Sequence, residues 1–449
     1  MAWYDEAVFY HIYPLGLSGA PMENKQDEVV HRLRDMEPWI DHITEIGCNA
    51  LYIGPLFESV GHGYETTDYK KLDRRLGDQD DLRHFVDCCH QKGVRVIFDG
   101  VFNHTGREFF AFRDLLANRE NSPYKDWYCN VNFGGNNEYN DGFSYDNWGG
   151  YNLLVKLNQR NPEVREYIYD VVRYWVTEFD VDGIRLDAAD VLDFDFMRGL
   201  RSLADTIKPE FWLMGEVIHG EYTRWVNPEM LHSVTNYNLN KALWSGCNEH
   251  NFFEIAHTVK RLYEMGDCQY QNLKLYNFAD NHDVERIASK LQNPDHFSVV
   301  HVLMYTLPGI PSIYYGSEFG IEGKKEQGSD ASLRPCLSLK DYSDQVSRNP
   351  KTALIKRLGE IHTEHMAFGY GEYRELLLTN RQYAFLRWTQ EEEIITAVNN
   401  DENPCTIYVP YQGTAGSFSG LLSGKTYAAE NGQIRIELDS CGGDILLPV

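Results

Sequence analysis

The 449 residues predict an α/β fold, a closed (β/α)8 barrel of the TIM type carrying an inserted segment after its third strand and a C-terminal all-β sandwich domain. Three observations carry that expectation. Short apolar runs alternate with amphipathic stretches as far as residue 367. A segment dense in Gly, Asn, Tyr and Trp interrupts the alternation once. Beyond it, from residue 368, the text turns to short alternating strands separated by Gly- and Asn-containing turns.

Eight runs have the length and aliphatic or aromatic richness of buried parallel strands: Ala7–Tyr13, Asn49–Gly54, Val94–Asp99, Asp182–Asp187, Phe211–Glu216, Ser233–Tyr237, Lys274–Ala279 and Ser312–Gly316. Between them, Pro38–Ile46, Asp80–Gln91, Pro162–Phe179 and Asn251–Met265 read as amphipathic helices. Asn161 is placed to cap the third, with Pro162 at its first position. The expected division is a barrel over 1–103 and 159–367, an inserted domain over 104–158, and a β domain over 368–449.

Composition excludes several classes. Apolar residues make up 43% and charged residues 24%, as in a soluble globular chain. The net charge of −25 gives no basic footprint for nucleic acid or anionic membrane. Nine cysteines without a CxxC pair suggest neither a disulfide framework nor structural zinc spacing, and fit a reducing compartment. The N-terminal text MAWYDEAVFYHIYP lacks the pattern of a signal peptide, and no run is apolar enough to span a membrane, so a cytoplasmic location is expected.

Acids stand at the C-terminal ends of several runs: Asp99 on the third, Asp187 on the fourth, Glu216 on the fifth, with Asp283 just after the seventh in FADNHD. A barrel gathers those ends into one pocket, where unpaired carboxylates repel and one holds a proton near neutral pH. Cleavage of a glycosidic bond uses such a set, a carboxylate to attack the anomeric carbon and a carboxylic acid to protonate the leaving oxygen. High aromatic content, 13%, suits a site that packs rings against sugars.

In order along the chain, GHGYETTDY (Gly61–Tyr69), DGVFNHTG (Asp99–Gly106), VKLN (Val155–Asn158), GIRLDAAD (Gly183–Asp190), LMGEV (Leu213–Val217), FADNHD (Phe278–Asp283) and GIPSIYYG (Gly309–Gly316) resemble the motifs of the α-amylase family of glycoside hydrolases, family thirteen. VKLN is similar to the MPKLN motif of the neopullulanase and cyclomaltodextrinase branch. The resemblance implies retaining hydrolysis of α-1,4-glucosidic bonds in maltooligosaccharides or cyclodextrins. Asp187 would be the nucleophile, Glu216 the acid/base, and Asp283 the third acid that binds sugar hydroxyls. Arg185 would lie beside Asp187, because i and i+2 share a strand face, and would hold it ionised. His104 and His282 would bond hydroxyls of the sugar being cleaved, Tyr64 would stack on it with His62 nearby, and Asp330 and Arg334 would meet the next sugar.

Other positions have plainer readings. Asp99 reads as a structural group beneath the pocket, Asp190 and Asp193 as a solvated helix start, and Asp330 with Arg334 also as a surface ion pair. No cofactor is required, with bound calcium as the alternative. Asn103, which in the family supports a calcium site or the base of the inserted domain, is read as support without metal. Two departures stand out: Asp190-Val191 replaces the pairs usual after the nucleophile, and the branch's N-terminal β domain is not expected, which leaves a monomer or weak homo-oligomer. The alternatives are a transglycosylase, an α-1,6-glucosidase or a sucrose-acting enzyme on the same scaffold and, from another class, a non-catalytic sugar-binding barrel.

Overall fold

A computed structural model describes residues 2–25, 27–263 and 273–449. Eight parallel strands form one sheet: Phe9–Ile12, Ala50–Ile53, Arg95–Gly100, Gly183–Leu186, Trp212–Gly215, Ser233–Val234, Tyr276–Phe278 and Ile310–Tyr314. They neighbour one another in sequence order, the first pairs with the eighth, and a parallel bridge between Thr235 and Tyr276 joins the sixth to the seventh, so the sheet closes.

Side-chain alternation divides each strand between two environments. Val8, Tyr10 and Ile12 face the surrounding helices, whereas Phe9 points into the barrel. Ala50, Tyr52, Ile97, Trp212, Met214, Tyr276, Phe278 and Ile310 join Phe9 there, with the rings of Phe9 and Trp212 stacked at 5.2 Å. This apolar plug fills the barrel from below. The next inward positions, one pleat further along, are His11, Asp99, Arg185, Glu216 and Ser312, and all are buried. A hydrophobic floor thus carries a polar layer at the C-terminal ends of the strands. Gly54 permits the close packing of that layer, since a Cβ there would lie 2.4 Å from Cβ of Asp99.

Local signals act as their chemistry requires. The side chain of Asn161 accepts from the N–H of Glu163 at the start of helix Pro162–Phe179. Asp78 caps helix Gln79–Gln91 through the N–H groups of Asp80 and Asp81. The sixth strand stops at Val234, earlier than the sequence suggests, because Asn236 caps a helix beginning at Tyr237. The helix expected to reach Met265 runs Phe252–Tyr263, and Met265 lies outside the described residues.

Within residues 104–158 a three-stranded sheet follows the third barrel strand, and side chains such as Phe112, Trp127 and Val155 join the main apolar core. Tyr151–Lys156 pairs antiparallel with His104–Gly106 on one side and Asn147–Trp148 on the other. A helix, Phe110–Asn118, was not foreseen in this stretch; it buries Ala111, Phe112 and Leu115.

The C-terminal domain is one curled, eight-stranded antiparallel sheet around its own apolar core of residues such as Leu386, Ile395, Val409, Phe418 and Ile436. It begins at Glu372, because helix Met366–Tyr370 occupies the expected boundary at 367/368. Arg387 of this sheet is fully buried. Its guanidinium donates to the carbonyls of Thr306, Phe368 and Gly371 at 2.9–3.0 Å and, more weakly, of Glu372 at 3.3 Å. Burial lowers its pKa to about 10.

Candidate active site

The fourth strand delivers Arg185 and Asp187 to the same inward face. Arg185 Nη1 donates to Asp99 Oδ1 and Asp187 Oδ1, both at 2.8 Å, and Nη2 lies 2.9 Å from Glu216 Oε2. One guanidinium therefore serves three carboxylates from three strands. Asp99 is the most enclosed of them. Its other oxygen accepts from the hydroxyls of Tyr52 at 2.9 Å and Tyr64 at 3.2 Å, so it is the structural floor that the sequence suggested. Asp187 and Glu216 retain 11% and 12% side-chain exposure, enough for both to face the opening.

The chain turns sharply after the nucleophile candidate. Ala188 has φ 47° and ψ 43°, in the left-handed region that costs a non-glycine residue about 1–2 kcal/mol. That turn aims the Ala188 N–H at Glu216 Oε2, 3.1 Å away. Glu216 Oε1 in turn lies 3.3 Å from the hydroxyl of Tyr237.

Across the opening stands a second cluster. Asp283 Oδ1 accepts from Arg334 Nη2 at 2.9 Å, and its Oδ2 lies 3.0 Å from His282 Nε2. Arg334 also donates to the carbonyl of His282 and reaches Asp330 at 3.3 Å. Arg334 and Asp330 are therefore more than a surface ion pair, because the guanidinium is tied into the Asp283 cluster. Tyr64 stacks on His282 at 5.7 Å, and its hydroxyl sits 2.5 Å from His282 Nε2. His62 pairs with Glu65 at 3.1 Å and stays partly exposed beside Tyr64.

The inserted unit supplies the remaining wall. His104 is buried, and its Nδ1 lies 3.2 Å from Asn103 Nδ2. Asn103 accepts the N–H of Leu157 on its backbone carbonyl, and among the described residues its Oδ1 meets no donor. Trp148 lies 6.1 Å from the His104 ring and is 41% exposed. It opposes Tyr151 across a two-residue turn whose glycines, 149 and 150, have φ 64° and 86°, as a tight hairpin of this hand requires. Asp190 and Val191 are exposed just past Asp187, and Val191 lines a cavity of about 540 Å³ between the inserted unit and the loop after the fourth strand, together with Lys156, Leu192 and Phe194. Asp193 caps the following helix through the N–H of Phe196, as its plain reading required.

Electrostatics follow from this sharing. Burial pushes the Asp187 carboxyl well above its ordinary range; Arg185 opposes the shift, but Glu216, Asp99 and Asp283 reinforce it. Arg185 draws Asp187 toward the ionised form, as expected of a guanidinium beside it, but its one positive charge is divided among three carboxylates. Burial also raises Asp283, yet His282 and Arg334 outweigh it and hold that carboxyl below the usual range. Burial lowers His104 to about 3, so it stays neutral and can both donate and accept.

Several site residues escaped the sequence reading. Tyr52 bonds Asp99. Tyr13 packs parallel to His282 and beneath the Arg334 guanidinium at 4.8 Å. His11 stacks on Tyr52 at 4.1 Å, and Tyr237 meets Glu216. The usable signal was parity: each stands an even number of residues from an inward position, except Tyr237, which lies on a helix.

Comparison with known proteins agrees with this geometry. Residues 33–353 match the family model described as "Alpha amylase, catalytic domain". A cyclomaltodextrinase from Bacillus sp is 30% identical over 451 residues, covering 95% of this chain and 77% of that protein. A solved cyclomaltodextrinase superposes with a TM-score of 0.87 at 26% identity, over 99% of this chain and 78% of the other. The native form of the Nostoc punctiforme debranching enzyme does so with a TM-score of 0.83 at 27% identity, over 99% and 98%. A closed barrel with its carboxylates on the third, fourth and fifth strands, matched over most of its length by that model, belongs to the α-amylase family.

Proposed function

We propose that this chain hydrolyses α-1,4-glucosidic bonds in maltooligosaccharides or cyclodextrins with retention of anomeric configuration. The observation that carries the reading is the pairing of Asp187 and Glu216 on one guanidinium, both facing an opening whose far side holds Asp283. In this reading Asp187 attacks the anomeric carbon as the glucosidic C–O bond breaks, and Glu216 passes a proton to the leaving oxygen. Water, deprotonated by Glu216, then cleaves the glycosyl–Asp187 ester. Asp283, Arg334 and His282 bind hydroxyls of the sugar being cleaved, with Tyr64 against its ring and His104 on the opposite wall. His62 and Asp330 border the same pocket. The chemistry needs no cofactor, and Asn103 supports the root of the inserted unit. The protein acts in the cytoplasm on soluble oligosaccharides, as a monomer or weak homo-oligomer. The names of the relatives support the substrate class.

The test is a panel of maltotriose, β-cyclodextrin, pullulan, isomaltose and sucrose with products identified by chromatography. Cleavage of maltotriose or cyclodextrin to α-anomeric products is expected; exclusive action on isomaltose or sucrose overturns the reading. Release of maltotriose units from pullulan at α-1,6 links is the second reading, favoured by the likeness to a debranching enzyme.

Two further outcomes follow. Trp148→Ala should raise KM several-fold with kcat little changed, because an exposed indole beside His104 contributes ring packing equally to ground and transition states; a fall in kcat at constant KM goes against it. The acid limb of kcat/KM should lie above the ordinary aspartate pKa of about 3.9, since Asp187 must be ionised to attack and its folded-state value is raised. A pH–rate profile flat down to that range counts against the assignment.

A further inference from the structure

Helix Gln79–Gln91 lies in the outer helical layer, and its His84 and Cys88, four residues apart, share one face. Glu37, the residue before helix Pro38–Glu45, reaches the same face from the neighbouring element. His84 Nε2 lies 3.1 Å from Glu37 Oε1 and 3.4 Å from Cys88 Sγ. The three ligand atoms fall within 4.8 Å of one another, and all three side chains are half-buried.

Hydrogen bonding alone serves this triad poorly. With a proton on Nε2, the imidazole must divide it between oxygen and sulfur. Without one, Nε2 accepts from the thiol but meets the carboxylate lone pair to lone pair. A tetrahedral ion satisfies all three. Bonds of about 2.1 Å to nitrogen and oxygen and about 2.3 Å to sulfur would separate the ligand atoms by roughly 3.4–3.6 Å, a few tenths of an ångström beyond the contacts of 3.1 and 3.4 Å. The other such grouping, His31 with Asp78 and Asp81, differs. Asp81 is already engaged on Oδ1 by Arg34 at 2.7 Å and on Oδ2 by the Asp78 N–H at 2.9 Å and by His31 at 2.5 Å.

We propose that Glu37, His84 and Cys88 form a zinc-binding site with a water in the fourth position. No CxxC spacing announces it, because the ligands come from a helix and the start of its neighbour. The mixed oxygen, nitrogen and sulfur set selects a borderline-soft divalent ion over calcium or magnesium. On binding, the Cys88 thiol gives its proton to solvent as the Sγ–Zn bond forms, and a bound water leaves the ion. Arg34, 3.6 Å from Glu37, keeps its shorter bond to Asp81 and can release the carboxylate. The ion would clip two neighbouring barrel helices together without touching the carboxylate site.

The test titrates metal-free protein with Co²⁺ and then Zn²⁺. The wild type should develop a thiolate-to-cobalt charge-transfer band that one equivalent of zinc abolishes, and its Tm should rise with added zinc. Cys88→Ser and His84→Ala should lose both responses while keeping wild-type glucan turnover. Cys336→Ser, which removes an exposed thiol elsewhere, should keep both. Absence of the band in the wild type, or its survival in Cys88→Ser, overturns the proposal.

Discussion

Replacing Asp187 with alanine should lower kcat by at least about 10⁴-fold, a loss of roughly 5 kcal/mol of transition-state stabilisation. The size follows from the step removed: without the carboxylate no covalent intermediate forms, and the remaining groups only bind and protonate. The fold should survive. Asp187 contributes one hydrogen bond to Arg185, which keeps Asp99 and Glu216 as partners. Linkage fixes the sign of the stability change. A carboxyl whose folded-state pKa is raised contributes stability that is fully present below the unfolded value and lost as pH rises through the folded one. At neutral pH, removing this crowded charge should therefore leave Tm unchanged or higher. Turnover measured on the best substrate of the panel, beside thermal unfolding at pH 7, gives both answers; near-normal turnover in a folded variant would sink the nucleophile assignment.

The second large effect belongs to Arg185. Its side chain is 3% exposed and is the shared cation of Asp99, Asp187 and Glu216. Arg185→Ala leaves three carboxylates converging without it, and removing one partner of a buried ionic cluster costs about 3–5 kcal/mol. Loss of activity should accompany the loss of stability. Arg185→Lys should rescue little of either, because a single ammonium cannot present a planar fork to three carboxylates on three strands. Urea unfolding of both variants provides the measure. A lysine variant as stable and active as the wild type would show that charge alone, and not the fork, organises the cluster.

Much of this was legible in the linear text. The period-two face joining Arg185 to Asp187, the acids at the ends of the third, fourth and fifth strands, and the Asn161 cap are local signals, and the structure holds all of them. Asp330 and Arg334, four residues apart, also meet, but their attachment to Asp283 required the fold. What stayed hidden depends on contacts between distant segments. Tyr13 and Tyr52 are two of 29 tyrosines, and nothing local distinguishes them from core rings. The upward shift at Asp187 depends on how many neighbours claim Arg185, a count that no single motif contains. Helix Phe110–Asn118 was obscured by the Gly- and Asn-rich text that follows it.

Arg387 draws a different boundary from the one secondary structure suggests. Four backbone carbonyls hold its charge, and Thr306, which supplies one of them, belongs to a barrel helix. A cation solvated by another unit's backbone cannot be left behind when that unit is cut away. A gene trimmed to the barrel would strand those carbonyls, and one encoding the sheet alone would strand the guanidinium. Barrel and sheet therefore share one buried polar socket, and neither is complete without the other.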